Sequence, residues 1–248
     1  MTISSRHRLL LSLAVTALLV ALLLAVGRGI FSIGRAQTVA PDFTIETDQE
    51  TLLVGEPLVL TLKATNSTQS PMDLAYSPFT EFAPHEIFVG PVGQEKAFYV
   101  HPSIFNLLFI DLEYPARSLA SGESLEATTY VSYDASTNGF AFPTAGRYEV
   151  EVLLYYGNAE EDIFARSNTL EVTVQDPAAG VGRTALDFIR AQELGPYLTP
   201  QAVFIEEVFD AVQDLHSLRT GFGGTPYSRH AAAALDSERL DLGTRCTS

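Results

Sequence analysis

Tryptophan is absent from this chain of 248 residues, and cysteine occurs once, as Cys246. A single cysteine cannot close an internal disulfide, which excludes the small secreted domains that depend on disulfide bonds for stability. We expect Cys246 to be an inert thiol, with a disulfide between two chains as the alternative. The absence of tryptophan argues against a carbohydrate-binding module, because such modules commonly stack aromatic rings on sugars.

Basic residues are scarce: 15 lysines and arginines stand against 30 acidic residues, and the formal net charge is −15. The first 36 residues hold four arginines and no acid, so the remainder carries 11 basic and 30 acidic residues, a charge of −19. Such a surface repels phosphate backbones, which argues against nucleic-acid binding. Hydrophobic residues make up 46% of the chain, which excludes an intrinsically disordered protein.

The N-terminal region has the pattern of an export signal. Arg6, His7 and Arg8 precede an apolar run of 18 residues, 9–26. This run is long for a cleaved signal peptide and just long enough to cross a bilayer. We expect 1–40 to be a signal peptide or signal anchor, with cleavage favoured. The body is then extracytoplasmic: periplasmic, secreted, or attached to the membrane by one N-terminal transmembrane helix if the leader is uncleaved.

Alternation of apolar and polar residues predicts a β-hairpin from 147–156 and 163–174. In its first strand one face is apolar and the other charged, as a half-buried strand requires. The apolar face holds Tyr148, Val150, Val152 and Leu154, and the charged face holds Arg147, Glu149 and Glu151. Further strands are predicted at 43–46, 58–66, 72–76, 86–92, 96–100 and 125–133. In the second of these the residues predicted to face inward are Leu58, Leu60, Leu62 and Ala64. About seven short strands joined by turns indicate an antiparallel β-sandwich.

Three turns of this region share a pattern: Gly55-Glu56-Pro57 precedes a long alternating strand, Gly122-Glu123 opens another, and Thr144 to Tyr148 enters a late strand. In these turns the chain resembles bacterial extracytoplasmic immunoglobulin-like sandwich domains, a family of unknown function. The resemblance covers 41–176 and implies an immunoglobulin-like β-sandwich. It also implies that Tyr148 buries its ring and hydrogen-bonds its hydroxyl back to the upstream turn. The alternative is an ordinary hairpin with a core tyrosine.

After 176 the apolar period changes from 2 to 3.6, which predicts a helical segment over 177–240. The predicted helices are 182–193, 200–218 and 226–239. Ala185, Leu186 and Ile189 form the apolar stripe of the first. Pro226-Tyr227-Ser228 resembles the helix starts of tetratricopeptide-type repeats, but only one incomplete unit is present, so we expect packing on the sandwich rather than a solenoid. The tail 241–248 is expected to be disordered.

The stretch 77–117 is rich in aromatic residues and reads as an insertion in the sandwich. Rings in such an insertion can stack on sugars or hold a peptide, or they can fill the core. The candidate ligand-facing residues are Phe79, Phe82, His85, Tyr99 and His101.

Catalytic motifs are missing from the sequence. His85-Glu86 lacks a second histidine four residues on, so it is no zinc-protease motif, and no nucleophile elbow, phosphate-binding loop or EF-hand loop occurs. Asp210, Asp214 and His216 lie on a predicted helix and are expected to form a solvated face. We therefore predict no catalytic residues, no metal ligands and no cofactor.

Three functions follow as hypotheses. The first is a non-enzymatic exported binding or scaffold protein of the bacterial cell envelope, which holds another envelope protein or an extracellular polymer. The second is an enzyme of unrecognised type with its site in 77–117, and it requires His85 or His101 to meet a carboxylate in a deep pocket. The third is a carbohydrate-binding module, which requires exposed coplanar rings in the same insertion.

Overall fold

The computed structural model describes residues 40–75, 85–102, 116–156, 163–200 and 208–236. The predictions for the leader before residue 40, for Phe79 and Phe82, and for the tail 241–248 lie outside these residues. The described part of the chain is mainly β, with three helices at its C-terminal end. None of the helices it contains has the length and apolar character needed to span a membrane.

Thirteen strands precede the helices in the described residues. They are β1 (Asp42–Glu46), β2 (Thr51–Leu53), β3 (Leu58–Thr65), β4 (Met72–Ala75), β5 (His85–Pro91), β6 (Ala97–Tyr99), β7 (Ala116–Leu119), β8 (Ser124–Val131), β9 (Tyr133–Asp134), β10 (Gly139–Phe140), β11 (Gly146–Tyr156), β12 (Ile163–Arg166) and β13 (Leu170–Gln175). The helices are α1 (Val181–Ala191), a 3-10 turn (Gly195–Tyr197), α2 (Val208–Gly221) and α3 (Pro226–Leu235).

The strands form two principal sheets. The smaller has the order β1-β3-β8, and the larger has the order β2-β13-β11-β5-β6, with β12 also paired to β11. Every pair in them is antiparallel except β2 with β13, which is parallel. The pairs β4-β7 and β9-β10 form two further short ribbons. The chain thus passes repeatedly between the sheets, as it does in a Greek-key sandwich.

Alternation places one face of each long strand in a shared core. In β3 the predicted inward residues are fully buried, and the inward residues of β11 are buried in the same cluster. Burying a leucine or valine side chain contributes about 1.5–3 kcal/mol. The prediction of a β-sandwich followed by C-terminal helices is confirmed.

Tyr148 forms the predicted corner at the entry to β11. Its ring is buried and meets Phe142 edge-on, with ring centroids 5.3 Å apart. Its hydroxyl donates to the carbonyl oxygen of Thr144 at 3.1 Å and lies 3.0 Å from the Thr144 hydroxyl. The turn is therefore tied to the strand that it opens.

The strand predicted over 163–174 is broken in the structure, which is a correction. The Ser167 N–H still donates to the Val152 carbonyl of β11 at 2.9 Å, so the break falls at Asn168 and Thr169, where the Asn168 side chain takes its partners in the other sheet. Asn168 accepts from the Ile45 N–H at 2.8 Å and donates to the Ile45 carbonyl at 3.1 Å, which links it to β1 in the other sheet. Ser167 Oγ accepts from the Val152 N–H at 3.0 Å. Alternation alone does not reveal such long-range bonds.

Strand β2 occupies a segment for which no strand was predicted. It spans only three residues, too few for a periodic signal, and ends in a turn at Gly55, whose φ is +80°. The Glu56 carboxylate is buried and accepts from the Leu53 N–H at 2.9 Å, which holds the turn closed. This turn lies between β2 and β3 and lets them join different sheets.

The helices pack through the predicted apolar residues and cover the β2 turn. Ala185, Leu186 and Ile189 of α1 are buried. In α3, Thr225 is the N-cap and accepts from the Ser228 N–H at 3.2 Å, with proline in the first turn. We call the contact with the sandwich the helix junction, formed by Val54, Gly55, Leu186 and Tyr227. In it the Tyr227 hydroxyl donates to the Val54 carbonyl at 2.6 Å.

Candidate binding surface

The structure brings the described residues of the predicted ligand-facing set to one end of the large sheet. His85 begins β5, Tyr99 ends β6, and His101 follows it. Tyr99 is 3% exposed and its hydroxyl accepts from the Ser132 N–H at 3.2 Å. His101 is 7% exposed, and its ring meets Tyr99 edge-on with centroids 6.2 Å apart. Tyr99 and His101 thus lie inside the sandwich, while His85 is half-buried.

Burial controls the protonation of this group. It lowers the pKa of His101 to about 4, with a smaller contribution from the neighbouring charge of His85. Burial also raises the pKa of Tyr99. Both rings are therefore neutral near pH 7, and neither pKa lies in the range that suits general acid–base catalysis there. That these residues face a ligand stays a prediction.

The Asp134 carboxylate, next to Tyr99 and His101, already accepts hydrogen bonds that stabilise the fold. Oδ1 of Asp134 accepts from the Val100 N–H at 3.2 Å, the Ser136 N–H at 2.9 Å and the Ser136 hydroxyl at 2.8 Å. The Ala135 N–H donates to the Val100 carbonyl at 2.9 Å. These bonds fasten the end of β6 to the turn after β9.

The outer side of the β5–β6 hairpin carries one exposed and one half-buried phenylalanine ring. Phe98 is 45% exposed and stands opposite Phe88 in the pairing of the two strands. Their ring centroids are 5.8 Å apart and their planes lie at 56°. Neither ring belongs to the predicted ligand-facing set, although alternation could have revealed the pair. Ile87 and Tyr99 point inward, so Phe88 and Phe98 must point outward.

Ion pairs border the two rings. Lys96 Nζ lies 3.1 Å from a Glu149 carboxylate oxygen and 3.9 Å from one of Glu151, and Arg166 also pairs with Glu151. Glu151 stands opposite Phe88 across β11 and β5. These four charges therefore neutralise one another.

A close backbone approach holds Lys96 in place. A Cβ atom added at Gly90 would lie 2.9 Å from both the Lys96 Cα and the Glu95 carbonyl oxygen. Only glycine lets the end of the hairpin fold this closely over β5.

Strand β6 is an edge of the large sheet. Among the described residues it pairs only with β5, and the backbone of Val100 beyond it is already bonded to Asp134 and Ala135. The open edge is therefore Ala97–Tyr99. We call this edge, together with the rings of Phe88 and Phe98, the Phe98 face. In the part of the chain that the structure covers, no three histidine, cysteine or acidic residues gather to hold a metal ion.

No protein-family model and no curated protein matches the chain. Parts of it are similar to solved structures. A β-glucosidase from Listeria innocua is 15% identical over 54% of this chain and 16% of that chain, with a TM-score of 0.28. The CARDB domain of the PF1109 protein from Pyrococcus furiosus is 12% identical over 58% of this chain and 97% of that chain, with a TM-score of 0.27. The sporulation control protein Spo0M from Bacillus subtilis is 10% identical over 62% of this chain and 56% of that chain, with a TM-score of 0.33. At these identities and TM-scores the similarities identify neither a family nor an activity.

Proposed function

We propose that this chain is an exported, non-enzymatic binding protein of the bacterial cell envelope that holds an extended segment of another envelope protein on the Phe98 face. The observation that carries the proposal is the exposed ring of Phe98, packed on the half-buried Phe88, beside a strand edge that the described residues leave open. The apolar leader and the acidic composition of the sequence support an extracytoplasmic location.

The edge and the rings suit an extended peptide because they lie side by side. An added strand takes its affinity from main-chain hydrogen bonds along Ala97–Tyr99. Every second side chain of that strand then points to the outer face, where Phe88 and Phe98 stand. Exposed aromatic rings of this kind are the usual anchors of an interface.

The charges of this surface and of the whole chain indicate which residues the partner segment should contain. Lys96, Glu149, Glu151 and Arg166 are paired with one another, so the centre of the surface favours an apolar side chain. The formal net charge of −15 attracts a segment with basic residues on either side of that centre. The favoured occupant is thus an extended segment with a central apolar residue and basic flanks.

The geometry of the rings favours a peptide over a sugar. A carbohydrate platform needs coplanar exposed rings, whereas the planes of Phe88 and Phe98 are 56° apart. No observation in the described residues favours the enzyme hypothesis for 77–117. Hydrolase activity of the purified protein that is lost on substitution of His85 or His101 would support that hypothesis and overturn the proposal.

The test places a photo-crosslinking phenylalanine analogue at position 98 of the full chain in its native envelope. Phe164 is the matched control position, because it is 49% exposed on β12, which β5 and β11 separate from β6. We expect a crosslink from position 98 to a short, apolar-centred segment of an envelope protein. We also expect Phe98→Ser to abolish copurification of that protein, with Phe164→Ser leaving it unchanged. Equal crosslinking from both positions, or none from position 98, contradicts the proposal.

A further inference from the structure

A cavity separate from the Phe98 face lies where the β9-β10 ribbon meets the helical segment. It is a cavity of about 290 Å³ with two tyrosine rings, two carboxylates and two carboxamides in its wall. These side chains are Tyr133, Tyr197, Glu193, Asp214, Asn138 and Gln192. The volume is at the lower end of the range for small-molecule sites. The cavity is remote in sequence from the Phe98 face and independent of the function proposed for it.

The Tyr133 wall of the cavity is fixed by packing. A Cβ atom at Gly195 would lie 2.5 Å from a ring carbon of Tyr133, so only glycine permits this contact. Phe140 meets the same ring edge-on, with centroids 6.3 Å apart. The Tyr133 hydroxyl donates to Asn138 Oδ1 at 2.6 Å. The ring therefore cannot swing into the cavity without breaking these contacts.

Glu193 stands at a backbone position that normally favours glycine. The Leu194 N–H donates to the Ile189 carbonyl at 2.9 Å, which is the closing bond of a helix C-terminal motif whose left-handed residue is usually glycine. Here that residue is Glu193, with φ of +54°. The site thus carries a carboxylate where backbone energetics favour a residue without a side chain.

The charged side chains that line the cavity are both negative. The charge of Glu193 adds to the effect of burial in raising the pKa of Tyr133, which places the carboxylate near the phenol. Asp214 supplies a second carboxylate, and none of the residues lining the cavity is a lysine, arginine or histidine. The Arg190 guanidinium lies 5.9 Å from the centroid of Phe140, the ring behind Tyr133, and is not part of the lining. An acidic chain with a formal charge of −15 strengthens this negative field.

We propose that this cavity binds a small organic cation, an ammonium or guanidinium group on a short aliphatic body. The carboxylates neutralise its charge and accept its N–H groups, and the Gln192 carboxamide offers a further acceptor. The faces of the tyrosine rings attract cations, and Pro196 and Ala211 supply apolar wall for the aliphatic body. Two carboxylates among aromatic rings do not suit a metal ion, which prefers a fuller set of oxygen ligands.

The test is calorimetric titration of the full chain at constant ionic strength. The cations are n-butylammonium and n-butylguanidinium, and the neutral control of similar size is n-butanol. Acetyl-lysine-methylamide tests whether the cation is presented by a peptide, and MgCl₂ tests for a metal site. We expect saturable binding of at least one butyl cation or of the lysine amide, with no saturable binding of butanol or magnesium. Equal binding of butanol, binding of magnesium alone, or no saturable binding of any cation overturns the proposal.

Variants assign the binding to this cavity. Asp214→Asn is expected to weaken binding at least tenfold, whereas Asp187→Asn, at an exposed carboxylate on α1 outside the cavity wall, leaves it unchanged. Glu193→Gly is the decisive variant, because glycine suits the left-handed backbone there. It is expected to raise the melting temperature while weakening cation binding at least tenfold. A lower melting temperature with unchanged binding would mean that Glu193 is structural, and it would contradict the proposal.

Discussion

The helix junction and the Phe98 face both place aromatic side chains on the sandwich, yet only the first is covered by the chain itself. Tyr227 is 0% exposed and its hydroxyl is bonded to the Val54 carbonyl, whereas Phe98 is 45% exposed. At the junction, α1 and α3 supply the cover that the β2 turn needs. On the Phe98 face the described residues leave both an aromatic ring and a strand edge in solvent. The difference indicates which surface is interior and which is available to a partner.

Removing Tyr227 is expected to have the largest effect on stability. Tyr227→Ala deletes a fully buried ring and leaves a cavity, so it should lower the free energy of unfolding by about 3–5 kcal/mol. Tyr227→Phe keeps the ring and leaves the Val54 carbonyl without its hydroxyl donor, at a cost of about 1–3 kcal/mol. Urea unfolding of the two variants measures both effects. A loss below 1 kcal/mol for Tyr227→Ala would mean that the helices do not cover the sandwich as described.

Because His101 is buried just after the strand that carries Phe98, we expect the stability of the fold to depend on pH. Burial lowers the pKa of His101 from 6.5 to about 4, so between these values the unfolded chain binds a proton that the folded chain does not. Stability should therefore fall as the pH is lowered from 6.5 to 4, by an amount on the order of 3 kcal/mol from this residue. Carboxylates titrate in the same interval, so the comparison is with His101→Gln, which should flatten the profile of stability against pH. Parallel profiles for the two proteins would show that His101 is not buried in the neutral form.

Substitution of Gly55 tests the contact between the β2 turn and the helices at the helix junction. Its φ is +80°, and an added Cβ atom would lie 2.9 Å from the Leu186 side chain. Gly55→Ala should cost about 1–2 kcal/mol from the backbone conformation. Gly93→Ala is the matched control, because Gly93 also has a positive φ, of +77°, but has no neighbour within 4 Å. The excess cost at Gly55 in thermal unfolding measures the junction contact, and equal costs at both sites would exclude such a contact.

Phe98 should contribute least to stability. Phe98→Ser removes an exposed ring and should change the free energy of unfolding by no more than about 0.5 kcal/mol. The same limit holds for Phe164→Ser, at a second exposed phenylalanine. Chemical denaturation of the two variants measures both changes in the free energy of unfolding. A loss above 2 kcal/mol at Phe98 alone would mean that its ring is part of the core and not a free surface.

Alternation predicted the parts of the fold that local pattern determines. The inward leucines of β3, the inward face of β11 and the stripe on α1 all followed from period 2 or 3.6. The corner at Tyr148 followed from a resemblance in the turn.

The remaining features depend on contacts between residues distant in sequence. The break after β12 exists because Asn168 bonds to Ile45, 123 residues earlier. The β2 strand is three residues long and needs the Glu56 carboxylate to close its turn. The cavity needs Glu193 in a left-handed conformation and Gly195 against Tyr133, and neither residue forms a motif in the sequence. The Phe98 face was within reach of alternation, because Phe88 follows the inward-facing Ile87 and Phe98 precedes the inward-facing Tyr99.

The most direct test of the contrast between the two surfaces is hydrogen–deuterium exchange of the full chain, free and bound to the partner captured through position 98. If the partner adds a strand at the edge, the amides of Ala97–Tyr99 should exchange more slowly in the complex, and those of α3 should be unchanged. Unchanged exchange in β6 together with new protection in α3 or along the smaller sheet would contradict the account.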